Sequence, residues 1–256
     1  MTTHARRPHA ALEKEPRYRK GQKIERLLQI APERAGLRLL EAGAGSGWIS
    51  HYFTRSMLGR YQVDAVDVVD NRQVSEGYSF TLVDGTQLPF PDGTFDIVIS
   101  NHVIEHVGSD EEQAQHLAEL LRVMKSGGVG YLAVPNRWML FEPHYHLALL
   151  SWWPEAWRSA WLRLWRKGQE YDCRPLACSD LESRLQYAGF SYTQLHGQAL
   201  RATFEIESPD RLLWKWCLRH VPTRIWIILR RIFPTLIYRL EKTSFGDGEQ
   251  ESCGPV

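Results

Sequence analysis

The chain of 256 residues has the length of one domain with insertions, and 43% of its residues are hydrophobic, which suffices for a core. Its 31 basic and 30 acidic side chains leave a net charge of +1, which excludes an overall electrostatic attraction to nucleic acid. The four cysteines form no CxxC pair, so we expect unpaired thiols in a reducing compartment. Because the amino terminus lacks the apolar core of a secretory signal and the apolar runs of the last third are too short to span a bilayer, the sequence predicts a cytoplasmic protein.

The first 20 residues are polar, and we expect a flexible segment there. A short amphipathic helix between Ile24 and Ile30 then leads into the domain, which we place at residues 21–242. Within the domain, strand-like runs alternate with helical or turn segments, which is the pattern of βαβ units and a parallel sheet. The predicted strands of this part are residues 37–42, 62–67, 79–83, 95–100 and 129–134.

After residue 109 the pattern changes to a longer helix and then to an insertion. The helix runs from Asp110 to Met124, and Gly127-Gly128 is expected to end it. Beyond Asn136 the alternation stops, and a tryptophan-rich stretch at about residues 137–178 has the length of an insertion. The remaining predicted elements are a helix at 179–188 with a capping box at Ser179, a strand at 190–196, a helical insertion at about 208–233, a last strand at 235–241 and a disordered tail at 243–256.

Residues 39–47 (LLEAGAGSG) carry the strongest functional signal, because a hydrophobic strand runs into three alternate glycines and then a helix. Glycine is needed where the backbone turns sharply and a ligand approaches closely, since a Cβ would collide there. Asp67 ends the next predicted strand, twenty positions after Gly47, and an acidic residue there can accept hydrogen bonds from both ribose hydroxyls. These features predict a nucleotide-bearing cofactor.

Two classes of enzyme share this loop. A dinucleotide site has the spacing GxGxxG, but Trp48 occupies the position of the third glycine, where a large side chain obstructs the helix packing that a pyrophosphate site uses. S-adenosylmethionine has no phosphate, so its loop needs close approach without an anion site. We therefore favour S-adenosylmethionine, with a nicotinamide-dependent dehydrogenase as the first alternative.

The loop from Glu41 to Gly47 resembles the first motif of the class I S-adenosylmethionine-dependent methyltransferases, E/D-x-G-x-G-x-G. Later segments resemble further motifs of the small-molecule type related to the ubiquinone biosynthesis methyltransferases. This resemblance covers residues 37–136 and implies an α/β, Rossmann-like fold: a seven-stranded, mostly parallel sheet with helices on both faces and helical insertions above the acceptor pocket. The later segments are 83–85 (VDG), 88–90 (LPF), 95–98 (FDIV), 101–107 (NHVIEHV), 121–128 (LRVMKSGG) and 134–136 (VPN).

The resemblance also implies which residues hold the cofactor. The glycine loop lies against the methionine part of the cofactor, and Glu41 binds the ammonium group of that part directly or through water. Asp67 binds the ribose, and Asp84 accepts a hydrogen bond from the adenine amino group. Asn101 borders the methionine part of the cofactor. A solvated loop carboxylate is the alternative for Glu41 and Asp84. The implied cofactor residues are Glu41, Gly43, Gly45, Gly47, Asp67, Asp84, Gly85 and Asn101.

Methyl transfer from a sulfonium is an in-line displacement that needs alignment of the acceptor but no protein nucleophile. A base is useful only for a weakly acidic acceptor such as a hydroxyl, and histidine is then the natural candidate. His144, in the first insertion, is preferred over His102, which follows the fourth strand; for each, a packing or hydrogen-bonded role is the alternative. The HxxEH order at 102–106 also matches an inverted zinc-protease motif, and Mg²⁺ at Glu105 is conceivable, but we favour no metal because His102 stands where a further carboxylate would be needed.

Two later segments combine tryptophan with arginine. Trp153, Trp157, Trp161 and Trp165 recur every four residues, and the same composition returns in residues 211–233. Such stripes either pack internally or face a membrane or lipid acceptor. Because tryptophan beside arginine suits interfaces, we favour a small-molecule or lipid-linked acceptor methylated at oxygen, with peripheral membrane contact. A catalytically silent binding module with the same fold remains a further alternative.

Overall fold

The structure, a computed structural model, describes residues 13–56, 59–142, 145, 147–171, 173–208 and 233–243. Its strands are β1 (Leu37–Ala42), β2 (Tyr61–Asp67), β3 (Ser79–Leu82), β4 (Phe95–Asn101), β5 (Met124–Pro135), β6 (Phe141–Glu142), β7 (Leu147–Ala148), β8 (Phe190–Gln194) and β9 (Thr235–Lys242). Its helices are α1 (Lys14–Leu28), α2 (Trp48–Ser56), α3 (Asp110–Val123), α4 (Glu155–Leu164), α5 (Cys178–Ala188) and α6 (His196–Ala202). Shorter turns are 3-10 helices at Ile104–His106 and Leu150–Trp152 and a π-helix at Thr203–Glu207.

Seven of these strands form one sheet in the order β3-β2-β1-β4-β5-β9-β8. Neighbours from β3 to β5 pair in parallel, whereas β9 is antiparallel to both β5 and β8, so β9 alone reverses direction within this sheet. Strands β6 and β7 form a separate antiparallel ribbon. The predicted seven-stranded, mostly parallel, Rossmann-like sheet is confirmed.

Helices cover both faces of the sheet, as predicted. Side chains alternate between the faces of a strand, so a strand that is covered on both sides reads as a nearly continuous apolar run. Leu40 and Val98 point to the core shared with α3 and α5. Leu39, Ile97 and Ile99 point to the opposite core, shared with α1, α2 and α6. The apolar sequences of β1 and β4 follow from this double burial.

The junction of α3 and β5 differs from the sequence prediction. Helix α3 ends at Val123, and β5 begins at Met124, so Gly127-Gly128 lies inside the strand and does not end the helix. Met124 already pairs with Phe95, and the register against β4 shifts before Val129 pairs with Ile97. The early start of the strand therefore depends on a pairing between distant segments, which local sequence does not encode.

The predicted capping box at Ser179 is wrong. Helix α5 begins at Cys178 with Ala177 as its N-cap, and no side chain caps it. The carboxylate of Glu182 instead accepts hydrogen bonds from Cys178 Sγ at 3.2 Å, from Tyr238 Oη at 3.0 Å and from the Gln194 side chain. The Glu182 carboxylate, which a capping box at Ser179 would need, is thus occupied by these other hydrogen bonds.

The first 20 residues, predicted to be flexible, are in part helical. Helix α1 begins at Lys14 and is held against α2 by aromatic contacts. The ring of Tyr18 meets those of Trp48 and Tyr52 edge-on, with centroids 6.1 and 5.7 Å apart. Gly21 lies so close to Tyr52 that a Cβ would be 2.6 Å from Cδ1 of that ring. These contacts come from α2, so a polar N-terminal sequence gives no sign of them.

Both insertions are joined to the domain beside Asn136, which is fully buried. The Asn136 backbone N–H donates to the carbonyl of Pro234 at 3.0 Å, and its side-chain amide donates to that of Phe233 at 2.8 Å. Leu176, near the end of the first insertion, bridges to Asn136 as well. Residues 209–232 and 244–256, where we expect the second insertion and the tail, lie outside the described residues.

Candidate active site

The predicted cofactor residues lie at the carboxyl ends of four neighbouring strands. Asp84 and Gly85 follow β3, Asp67 ends β2, the glycine loop follows β1, and Asn101 ends β4. Open α/β sheets bind ligands at this edge, because the loops that leave neighbouring parallel strands converge there. Asp84 and Gly85 are exposed at the outer end of this row, and the other members lie deeper.

Packing within the protein also requires glycines in this loop. Gly43, Gly45 and Gly47 all have positive φ angles, of 82°, 51° and 78°, which strain other residues. A Cβ on Gly43 would overlap Cγ2 of Val103, and a Cβ on Gly47 would overlap the hydroxyl of Tyr78. The loop therefore packs directly against Val103, which follows β4, and Tyr78, which precedes β3.

Asp67 is fixed beside this loop by backbone donors. Its Oδ2 accepts a hydrogen bond from the Gly45 N–H at 2.8 Å, and its Oδ1 accepts one from the Val68 N–H at 2.8 Å. Oδ1 also accepts a longer hydrogen bond from the Val69 N–H at 3.4 Å, whereas Oδ2 keeps a second lone pair with which it can accept from a ligand hydroxyl. The twenty-residue spacing between Gly47 and Asp67 thus corresponds to a direct contact between the loop and the end of β2.

Glu41 is buried in β1 behind the loop. Burial raises the pKa of its carboxyl to about 7, against the hydrogen bond from Ser50 Oγ and the charge of Arg17, both of which favour the ionised form. Ser50 lies on α2 and Arg17 on α1, and neither was found from the sequence. A buried carboxylate with a half-buried guanidinium nearby suits a ligand that carries both an ammonium and a carboxylate.

Asn101 also fits a bound ligand. Its side chain is buried, and within the described residues its Oδ1 accepts no hydrogen bond. Buried polar atoms nearly always have a partner, so an unsatisfied acceptor at the end of β4 is a place where a ligand N–H or O–H can bind.

His102 has a strained backbone and lies next to a buried carboxylate. Its φ angle is +59°, and its N–H donates to the carbonyl of Ala133 at 2.9 Å. Its Nδ1 lies 3.3 Å from Oε1 of Glu105, whose side chain is fully buried. His106 Nε2 is 4.0 Å from the same oxygen, and Cys173 Sγ is 3.7 Å from His106 Nδ1.

His144, the base that the sequence analysis preferred, lies outside the described residues.

Among the residues that the structure describes, no group of three or more histidine, cysteine, aspartate or glutamate side chains is arranged to hold a metal ion. The HxxEH segment follows the end of β4 and contains a 3-10 turn, not the long helix that the inverted zinc-protease motif requires.

Comparison with known proteins identifies the kind of domain to which this site belongs. Residues 40–132, from β1 into β5, match the family model described as a methyltransferase domain. A probable S-adenosylmethionine-dependent methyltransferase of Mycolicibacterium smegmatis is 32% identical over 118 residues, which are 45% of this chain and 44% of that protein. Residues 40–132 are a class I S-adenosylmethionine-dependent methyltransferase domain. S-adenosylmethionine is therefore its cofactor.

Two further relatives extend the comparison of this methyltransferase domain. A malonyl-[acyl-carrier protein] O-methyltransferase of Serratia marcescens is 38% identical over 111 residues, 41% of each chain. A putative methyltransferase, solved in complex with the Haloferax volcanii Trm112 methyltransferase activator, has a TM-score of 0.52 at 18% identity and is matched over 87% of this chain and 90% of its own. The second likeness shows the fold alone. The chain spans less than half the length of the curated relatives that it matches.

Proposed function

We propose that the protein transfers a methyl group from S-adenosylmethionine to an oxygen atom of a small-molecule or lipid-linked acceptor. The observation that carries this proposal is the meeting of the glycine loop, Asp67 and Asn101 at one edge of a methyltransferase domain. The name of the Serratia marcescens relative, an O-methyltransferase, supports oxygen as the atom methylated. The motifs resemble those of the small-molecule type related to the ubiquinone enzymes, and we propose that subtype.

The bound cofactor supplies a methyl group that its sulfonium already makes electrophilic. Glu41 binds the cofactor's ammonium and Arg17 its carboxylate, because the charges of the buried carboxylate and the half-buried guanidinium complement those of the ligand. Asp67 binds the ribose hydroxyls, and Asp84 beside Gly85 accepts from the adenine amino group. The protein's own contribution to the reaction is then to align the acceptor and exclude water.

Calorimetry with S-adenosylhomocysteine, the demethylated cofactor, tests the site. The protein should bind it at micromolar concentration and should not bind a nicotinamide dinucleotide. Asp67→Ala should weaken binding roughly ten- to hundredfold, because about 1.5 to 3 kcal/mol of charged hydrogen bonding is lost. Asp70→Ala is the matched control, since this exposed carboxylate pairs with Arg72 at 2.8 Å and not with the loop. Dinucleotide binding without any response to S-adenosylhomocysteine would contradict the proposal in favour of the dehydrogenase.

Incubation with methyl-labelled cofactor and fractionated cell extract identifies the acceptor. Label in the lipid or small-metabolite fraction is the expected result. Label only in protein would contradict the acceptor class, and tight cofactor binding without label in any fraction would favour the silent module. With the acceptor in hand, turnover of His144→Ala tests the base that the sequence favours: a loss of about 10²-fold with unchanged cofactor affinity would assign the proton transfer to His144 and not to His102.

The first insertion supports a lipid-linked acceptor, because one face of α4 is apolar and exposed. Trp157, Leu164 and Trp165 are 61, 72 and 55% exposed, while Arg158 and Leu162 on the other side of the helix are buried. Trp157 stacks on Trp153 and Trp165 meets Trp161 edge-on, each with ring centroids 6.1 Å apart, and Trp161 also contacts a small core. More than half of Trp157 and of Trp165 nevertheless stays exposed on this α4 apolar face. Side chains of this kind at a helix surface suit the interface of a lipid bilayer.

The charges around the α4 apolar face complement anionic lipid. Arg163, Arg166 and Lys167 are exposed at the carboxyl end of α4, whereas Glu155 at the other end is paired with Arg174 at 2.8 Å. Each basic residue near an anionic membrane adds about 1 kcal/mol of attraction. No helix of the described chain is long and apolar enough to cross a bilayer, so the contact we propose is peripheral.

Vesicle co-sedimentation of the full chain tests the membrane contact. The protein should sediment with phosphatidylglycerol-containing vesicles at low salt, less so at high salt, and not with phosphatidylcholine alone. Trp157→Ser with Trp165→Ser should weaken binding at least tenfold, whereas Tyr187→Ser, a control that is 93% exposed on α5, should not. Protein that stays in the supernatant with unshifted tryptophan fluorescence would contradict the contact. Burial of Trp157 by a second copy or by residues 209–232, seen as protection from acrylamide quenching, would also contradict it.

A further inference from the structure

Glu105 is a buried charge that none of the cofactor contacts explains. It lies in the 3-10 turn that follows β4, and its side chain is 1% exposed. The turn is fixed from both sides: Arg174 N–H donates to the Glu105 carbonyl at 2.8 Å, and the Gln113 side chain donates to the Ile104 carbonyl at 3.1 Å. The carboxylate is therefore held in one place by α3 and by the end of the first insertion.

Two imidazoles are the groups that offset this buried charge. Among the described residues, His102 and His106 alone bring a nitrogen within ion-pair distance of Glu105, at 3.3 and 4.0 Å. Burial opposes ionisation, but the proximity of both rings keeps the pKa of Glu105 below its usual range. The 3.3 Å contact with His102 is an ion pair without hydrogen-bond geometry, so both carboxylate oxygens still lack a donor within the described residues. A buried ionised carboxylate needs donors, so an imidazole N–H directed at it is the arrangement that satisfies the pair.

The position of His102 is consistent with a role in the site. Its left-handed backbone is uncommon for a residue with a Cβ. Strained conformations of this kind cluster at functional sites, where the surrounding structure enforces them. It stands between Asn101, which has an unsatisfied buried acceptor, and Val103, which touches the glycine loop. The ring is partly exposed, unlike the carboxylate behind it. When Nδ1–H points to Glu105, Nε2 on the opposite side of the ring keeps a free lone pair.

We propose that Glu105 is the positioning residue for His102, and that His102 Nε2 is the general base for a hydroxyl acceptor. This inference rests on the proposed function. As the acceptor oxygen bonds to the methyl carbon, the methyl–sulfur bond breaks with its electron pair on sulfur, and the hydroxyl proton moves to Nε2. The resulting imidazolium is stabilised by the Glu105 carboxylate and later returns the proton to solvent. The carboxylate thus fixes the tautomer and offsets the new charge.

The tautomer of His102 can be observed without an acceptor. In long-range ¹H–¹⁵N spectra of the full chain near neutral pH, the His102 ring should carry its proton on Nδ1, whereas free histidine mainly carries it on Nε2. The signal is assigned by its loss in His102→Gln. Glu105→Met, which removes the acceptor, should shift the proton to Nε2, while His106→Gln, a control at the same carboxylate, should leave it on Nδ1. A wild-type ring protonated on Nε2 would overturn the proposal, as would Mg²⁺ binding abolished by Glu105→Gln.

Turnover with the acceptor found by methyl labelling completes the test. His102→Gln should lower kcat by about 10²-fold or more, and Glu105→Gln, which keeps an acceptor but removes the charge, by about tenfold, with KM unchanged in both. Calorimetry with S-adenosylhomocysteine should give the wild-type dissociation constant for both variants. Wild-type turnover in either variant would overturn the pair. Absence of S-adenosylhomocysteine binding by the wild-type protein would instead refute the proposed function, whatever tautomer His102 has.

Discussion

Glu41 shows how burial of one residue links the cofactor site to pH. Its carboxyl is surrounded by β1 and α2, and burial raises its pKa to about 7, so that near neutral pH the group is divided between protonated and ionised forms. The ammonium of a cofactor interacts favourably with the ionised form only. Binding and deprotonation of Glu41 are therefore coupled.

We predict that affinity for S-adenosylhomocysteine falls as the pH decreases below 7. The raised pKa means that Glu41 is protonated in the free protein at lower pH, so binding must release a proton. The dissociation constant should rise by up to roughly tenfold per pH unit between pH 7 and 5. Calorimetry in two buffers of different ionisation enthalpy measures the released proton. Glu41→Gln should bind more weakly at pH 8 and lose the dependence; an equal dependence in this variant would assign it to another group.

The candidate cofactor residues Gly45 and Asp67 could be proposed from the sequence because each belongs to a short motif at a strand end, and the structure brings the two into contact. Arg17 and Glu105 could not be predicted in the same way. Arg17 acts at Glu41 across 24 positions of sequence, and the pairing of Glu105 with His102 depends on a 3-10 turn and a left-handed residue that no periodic pattern encodes. Such pairs exist only after distant elements have packed.

Helix α1 brings Arg17 close to Glu41, where we propose that the amino-acid end of the cofactor binds. It is held in its middle by the rings of α2 and near its end by Lys23, which pairs with Glu207 at 2.7 Å and donates to Thr203 at 3.0 Å. These contacts fix the position of Arg17, one turn before Gly21. Strand positions could be predicted from periodicity, but the start of α1 could not, because its stabilising contacts come from α2 and from residues 203–207.

We predict that Arg17→Met weakens binding of S-adenosylhomocysteine about tenfold while leaving binding of 5′-methylthioadenosine unchanged. The second ligand lacks the amino acid part, so the loss of a charge that contacts the carboxylate cannot affect it. Arg19→Met, on an exposed position of the same helix, serves as the control. Equal losses for the two ligands, measured by calorimetry, would mean that Arg17 supports the helix and does not bind the ligand.

The stability of the whole molecule should depend on His116, which joins α3 to the sheet. Its ring is buried, and its Nε2 lies 3.1 Å from Ser100 Oγ. Burial lowers the pKa of His116 from 6.5 to about 4. The unfolded chain therefore binds this proton more readily than the folded protein does between these two pH values, so folding stability is lost as the pH falls through that window.

We predict that the free energy of unfolding in urea decreases by about 3 kcal/mol more between pH 7 and 4 in the wild-type protein than in His116→Gln. Glutamine can still bond to Ser100 but does not titrate. Urea unfolding at several pH values, followed by far-ultraviolet circular dichroism, gives the comparison. Parallel curves for the two proteins would show that His116 does not contribute to acid unfolding.

The junction at Asn136 has a consequence for how such a protein diversifies. Residues 137–176 and the segment that returns at Phe233 both meet the buried Asn136, beyond the end of the domain that matches the family model. Near the end of the first insertion, Arg174 adds a hydrogen bond to the Glu105 carbonyl. Sequence on the far side of that junction can therefore change, lengthen or be exchanged without disturbing the strands that precede it. A lineage could acquire new acceptors by altering these appendages while its way of holding the methyl donor is inherited intact.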